Sequence, residues 1–269
     1  MIQVASSIDK RATRVPVESD SGSGAKYFRC DFICPEGFNA KLDRETRLSL
    51  YASYKDRFQM PHAFTIEDQT SGPIPAHFHR VPQFQVITGG RGKLGKHDVR
   101  GYAVHYTDPY TAYGPIMPGE GATLSYYTLR MQFDPGANYL NMPGARDLLQ
   151  PSRKRFLLVD PDTVNVATPE ALRARTATAL DTLIPEEDDG VASYLLRIAP
   201  NGTATGPDPA VCGGQYFIVV NGSLQRDGVE LPNLSCVFVS GDEPPLQLVA
   251  GRDGLEVLVL QFPRAIMPS

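Results

Sequence analysis

Residues 77–90 read His77-Phe-His79-Arg-Val-Pro-Gln83-Phe-Gln85-Val-Ile-Thr-Gly-Gly90. In an extended strand residues i and i+2 project to one face, so this spacing lets His77 and His79 offer two imidazoles to a single point. Gln83 and Gln85 share that parity, and Pro82 marks a break between a His strand and a Gln strand. Two neutral imidazoles suit Fe, Ni, Cu, Zn or Mn rather than Ca or Mg. A Gln oxygen can complete such a set but brings no negative charge, which weakens affinity and leaves a bound ion more electrophilic.

Outward from this stretch the chain reads as short strands divided by turn residues. Phe64–Glu67, Phe84–Thr88, Tyr102–Tyr106 and Leu124–Phe133 are the clearest strands of the first half, and Ser193–Ala199, Tyr216–Val220, Cys236–Ser240 and Leu255–Phe262 follow in the second with similar gaps. Between them Thr168 as N-cap, Pro169 and Glu170 open a helix expected to run to about Leu180. The order of strands is an internal repeat. Gln83-Phe-Gln-Val-Ile-Thr-Gly-Gly90 lies beside Gln215-Tyr-Phe-Ile-Val-Val-Asn-Gly222, and Ala103–Thr107 and Arg130–Phe133 match Cys236–Ser240 and Val259–Phe262. The expected organisation is a mobile polar arm over 1–25, a first barrel over 26–150, a connecting segment with the helix over 151–190 and a second barrel over 191–269.

The run His77-x-His79, three residues, Gln83, six residues, Gly90 resembles the first signature of the cupin superfamily, with Gln83 where Glu is usual and Gly72 one residue closer to His77 than the family spacing prefers. The resemblance implies an all-β fold, two tandem cupin (jelly-roll) barrels joined by a short helix, with a divalent transition metal (Fe, Ni, Zn or Mn) inside the first. It implies His77, His79 and Gln83 as ligands. The second cupin signature ends in a His after a turn, and Asp108-Pro-Tyr-Thr-Ala-Tyr113-Gly-Pro115 puts Tyr113 at that place. Tyr113 is thus a candidate ligand or general acid/base, with His105 the other candidate to complete the set. His62 and His97 have no partner at ligand spacing and read as surface or loop residues.

The repeat acts as an internal control. Counting back from Gln215 sets Pro209 and Val211 against His77 and His79, Phe238 falls against His105, and Tyr126, Thr128, Arg130 and Gln132 fall against Leu255, Val257, Val259 and Gln261. Extra polarity on one face of the first half points to a solvated pocket rather than to packing. Arg130, the fixed cation of that set, is the expected anchor for a small carboxylate, with Tyr126 and Gln132 beside it. Glu67 is a candidate base; the plainer reading is an exposed strand residue.

Composition excludes several classes. The 269 residues carry 26 Lys and Arg against 30 Asp and Glu, so no basic surface is available for nucleic acid. No apolar run reaches membrane-spanning length, and the polar start lacks a secretory apolar region, which points to the cytoplasm. Cys30, Cys34, Cys212 and Cys236 read as reduced structural thiols. Two functional classes stay open: a metal-dependent enzyme on a small organic substrate (dioxygenase, isomerase, lyase or hydrolase), and a non-catalytic small-molecule-binding or scaffold protein. A homodimer is implied by the resemblance only.

Overall fold

The computed structural model describes residues 1–38, 42–54, 59–160 and 162–264, and the chain divides into two all-β units. One comprises Thr13–Pro161; the other comprises Met1–Ala12 together with Asp162–Ser269.

In the Thr13–Pro161 unit an antiparallel sheet runs in the order Phe156–Val159, Val104–Thr107, Gln83–Leu94, Leu124–Arg130, His62–Ser71, Lys26–Ile33, Val15–Glu18. His97–Arg100 and Ile116–Pro118 pair with the far half of Gln83–Leu94, while His77–Phe78 pairs with Asn138–Tyr139. The register sets Gln83 between Arg130 and Thr107, and Gln85 between Thr128 and His105. On the inner face Phe64, Ile66, Ile74, Ile87, Leu94, Ile116 and Tyr126 form an apolar cluster. The opposite face is also closed, by Phe32 against Tyr127 and Phe84 against Tyr106, ring centres 4.9 Å apart in each pair.

The second unit repeats the plan. Its sheet runs Ile2–Ala5, Cys236–Ser240, Gly214–Arg226, Gln247–Phe262, Ala192–Ile198, Ala179–Ile184. Its interior is apolar, built from Leu196, Phe217, Val219, Val237, Val239, Leu255, Val257 and Val259. Gly90 and Gly222 hold the same place in the two units. Both have positive φ, 73° and 67°, and a Cβ on either would sit 1.9 Å or 2.0 Å from a carbonyl oxygen of the facing chain, Thr123 or Gly254. Only glycine meets both demands.

Three expectations need correction. Residues 1–25 are not a free arm: Ile2–Ala5 pairs with Cys236–Ser240, and Val15–Glu18 pairs with Lys26–Ile33. The Ser/Gly stretch between is tied down by its own hydroxyls, Ser19 to Ser21 at 2.8 Å and Ser21 to Ser23 at 2.7 Å. The helix stops at Pro169–Arg173, although Thr168 does cap it by accepting from the Ala171 N–H; Ala179–Ile184 is instead taken up as a strand against Ala192–Ile198, and the helix falls in the unit that contains Asp162–Ser269. The repeat alignment slips at two strands. Gln215 lies opposite Gln261 as Gln83 lies opposite Arg130, and Phe217 lies opposite Val237 as Gln85 lies opposite His105. The partner of Arg130 is therefore Gln261, and that of His105 is Val237.

Candidate functional site

The polar residues of the first unit gather on one cavity of about 110 Å³, lined among others by His77, His79, Tyr113, Tyr126, Thr128 and Arg130. His77 opens the short strand His77–Phe78, whose register with Tyr113 is fixed by paired backbone hydrogen bonds of 3.0 Å, and His79 follows directly after it. Their rings lie 5.1 Å apart and nearly perpendicular, at 86°.

Proton positions follow from the partners. Nδ1 of His77 lies 2.7 Å from the Pro75 carbonyl, which can only accept, so Nδ1 carries the proton and Nε2 the lone pair. The Tyr113 hydroxyl, 3.0 Å away, therefore donates to that Nε2. Tyr113 in turn accepts from the Gln83 side-chain amide. That amide orientation is demanded independently, because Gln83 Oε1 accepts from both Nε and Nη2 of Arg130 at 3.0 Å. The result is a one-directional relay, Arg130 to Gln83 to Tyr113 to His77 to backbone. In the second unit the equivalent pair is neutral: Gln215 donates its amide to Gln261 at 2.9 Å.

His79 is anchored on its other side. Its Nδ1 donates to Asp134 Oδ1 at 2.8 Å, and Nη2 of Arg130 meets its Nε2 at 3.2 Å. Asp134 also accepts from the backbone N–H groups of Arg80 and Gly136, and lies 3.6 Å from Nη1 of Arg130. Burial works against the Asp134 anion, but His79, Arg130 and these hydrogen bonds outweigh it and hold its carboxyl well below the usual range. Burial, reinforced by His79, draws His77 down to about 3, and burial, then Arg130, lowers His79. Both imidazoles are neutral at physiological pH. Burial raises the Tyr113 phenol, so it is a proton donor here and not a phenolate.

These residues have the chemistry of a transition-metal set. Each His is oriented through Nδ1 by a carbonyl or carboxylate and turns Nε2 inward, the support that ligating histidines characteristically receive. A cation already lies among the donors, since one guanidinium nitrogen of Arg130 is 3.0 Å from Gln83 Oε1 and 3.2 Å from both ring nitrogens of His79. For a metal to take these donors, Arg130 must withdraw and Tyr113 must release His77 Nε2.

Other expected residues fall differently. His105 lies beside the group, its ring 5.0 Å from that of Tyr113, but its Nδ1 is engaged by Gln85 at 3.0 Å and its buried Nε2 has no hydrogen-bond partner. Tyr113, not His105, reaches His77 and Gln83. Tyr126 lines the cavity, whereas Gln132 lies past the end of Leu124–Arg130, where the alternation lapses, and does not. Glu67 is neither exposed nor in the site: on its strand the even positions His62, Phe64 and Ile66 face the cavity, and Glu67 turns away to Thr65 and Arg14. His62, expected at the surface, is 1% exposed. Asp134 and Arg29 were not foreseen; Asp134 stands before Pro135-Gly136 and reads in sequence as an ordinary turn residue.

No protein-family model matches the chain, and no curated protein matches it by sequence. Solved structures do. A dioxygenase candidate from Nostoc punctiforme superposes with a TM-score of 0.62 at 11% identity, covering 100% of this chain and 85% of that one. The nickel(II) complex of a pirin from Escherichia coli gives 0.53 at 10% identity over 98% and 100% of the two chains. Oxalate decarboxylase from Bacillus subtilis, which has Mn(II) centres, gives 0.51 at 11% identity over 98% and 78%.

Proposed function

For a chain that carries the cupin fold twice, in tandem all-β units, we propose a metal-dependent enzyme of small organic anions, with its active site in the Thr13–Pro161 unit. His77, His79 and Gln83 would hold a divalent transition ion, Fe, Ni, Zn or Mn, with Tyr113 beside it. The observation that carries this reading is the pair of Nδ1 anchors, Pro75 and Asp134, which turn both Nε2 atoms inward. When bound, the ion would supply Lewis acidity or a site for dioxygen, according to its identity.

The protein's own groups do the rest. Arg130 would leave Gln83 and His79 to pair with a substrate carboxylate, a planar bidentate match. Tyr113, already donating to His77, is the group placed to give a proton to the substrate and recover it from water, while the Gln83 amide N–H would steady the phenolate left behind. Tyr126 and Thr128 line the cavity and shape what fits. Its volume of about 110 Å³ limits the substrate to a few heavy atoms unless side chains move. Reaction class among dioxygenase, isomerase, lyase and hydrolase follows from the ion.

Elemental analysis tests the proposal. Bound transition metal, of which His77→Ala loses one equivalent, supports it. Metal-free protein that nevertheless binds small carboxylates favours a binding module instead. Among the described residues no helix is long and apolar enough to cross a membrane. We propose a homodimer in solution, which light scattering checks.

A further inference from the structure

The sheet assembles a second set of donors outside the His77 group. The strands Lys26–Ile33 and His62–Ser71 pair antiparallel, with Asp31 opposite Phe64 and Ile33 opposite Ala63, so the register shifts by one residue between them. Such an irregularity bends a strand and re-aims its side chains. Cys34 follows directly, and His62 opens the partner strand. One donor atom each from Asp31, Cys34 and His62 lies within 4.8 Å of the others.

We infer that Asp31, Cys34 and His62 form a second cation site, for a thiophilic divalent ion such as Zn(II) or Co(II). The donors are a carboxylate, a thiol and an imidazole, a combination that selects such ions over Mg or Ca. Tetrahedral coordination with about 2.0 Å to N or O and about 2.3 Å to S sets donors about 3.3–3.5 Å apart, so the widest pair must close by up to about 1.5 Å to complete the set. Cys34 is exposed and supplies that adjustment; Asp31 and His62 are held from behind.

Two further observations single this cluster out. His62 is 1% exposed, yet among the described residues its Nδ1 has no hydrogen-bond partner, an omission that a bound ion would remove. Second, a cation is already drawn in: Arg29 gives Nε and Nη2 to Asp31 Oδ1 at 3.0 and 2.7 Å and approaches His62 Nε2 at 3.2 Å. Its contacts use only one carboxylate oxygen, which leaves Oδ2 to a metal. Three protein donors leave an open position, and of the three His62 also lines the cavity. The inference does not depend on the His77 site.

The test is titration of metal-free protein with Co(II), followed in the near ultraviolet, where a thiolate bound to cobalt gives an intense charge-transfer band. The band is expected to be complete at one equivalent in His77→Ala and within two equivalents in wild type, where the His77 group also takes the ion, and is expected to vanish in Cys34→Ser. Asp31→Asn is expected to weaken Co(II) binding at this site at least tenfold. Absence of the band from folded wild-type protein overturns the inference, as does its survival in Cys34→Ser. Cobalt binding that His77→Ala abolishes, without any thiolate band, overturns this site while supporting the other. Circular dichroism verifies that Cys34→Ser, a change at an exposed position, stays folded.

Discussion

Replacing Arg130 by Met bears most directly on how the first site works. The guanidinium sits within 3.2 Å of two donors expected to hold a metal, so an entering divalent ion must displace it and then tolerate its charge. With an effective dielectric constant of about 20, a unit charge about 8 Å from a divalent ion repels it by about 4 kcal/mol. Allowing half of that for relaxation and screening leaves about 2 kcal/mol, or roughly a thirtyfold change in affinity. Arg130→Met is therefore expected to bind Zn(II) or Ni(II) roughly thirtyfold more tightly, as read by calorimetric titration against a competing chelator. The same substitution strips Gln83 Oε1 and His79 Nε2 of their donor and Asp134 of a nearby cation, so the metal-free variant melts earlier and regains stability when metal is added. A small carboxylate, by pairing with Arg130, is expected to strengthen metal binding in wild type and to have no such effect in the variant. Unchanged or weaker metal affinity in Arg130→Met refutes the reasoning.

Other expectations follow from the same geometry. Burial draws His62 to about 4 and His77 and His105 to about 3, against about 6.5 in an unfolded chain. The unfolded state therefore binds more protons below pH 6.5. His79 is lowered as well, so stability is fully present above that value and falls as pH drops toward 4, with a slope corresponding to about three to four protons, measurable by urea unfolding at several pH values. Asp31 adds a later loss. Burial acting to raise its pKa is outweighed by His62 and Arg29, which hold it at about 2, so its contribution is lost between about pH 4 and 2. Tyr113→Phe removes the hydroxyl shared by His77 and Gln83 and should cost about 1–3 kcal/mol by thermal melting, together with most of any activity. Gly90→Ala drives a Cβ to 1.9 Å from the Thr123 carbonyl and should lose on the order of 3 kcal/mol or fail to fold, as seen by circular dichroism. In the other unit Glu256 is fully buried and accepts from Arg175, Arg197, Asn221 and the Ala167 N–H. Glu256→Ala strands those donors and should cost about 3–5 kcal/mol, visible as an earlier melting transition.

The duplicated architecture was legible because a few positions cannot be anything else. Gly90 and Gly222 mark the same tight approach in both units, and the spacing of His77 and His79 specifies one face of one strand. Strand alternation also carried Tyr126 and Arg130 to the cavity. It failed wherever regularity lapses. Leu124–Arg130 ends before Gln132, and Glu67 has the parity opposite to its cavity-facing neighbours His62, Phe64 and Ile66. Alignment of the two halves slipped because apolar strands such as Cys236–Ser240 carry no polar landmark. His62 looked exposed because its polar partners, Arg29 and Asp31, lie about thirty residues away in sequence and meet it only through strand pairing. Asp134 could not be told from any other turn aspartate, since its role depends on His79, 55 positions earlier.

The pairing of Ile2–Ala5 with Cys236–Ser240 sets a timetable for biosynthesis. More than 200 residues separate the two strands, so the first leaves the ribosome well before its partner is made. At about 5–20 residues per second that delay is roughly 10–50 s, during which the intervening unit can complete its own folding. Until the partner arrives, the early strand remains an unsatisfied edge, open to capture by a neighbouring nascent chain.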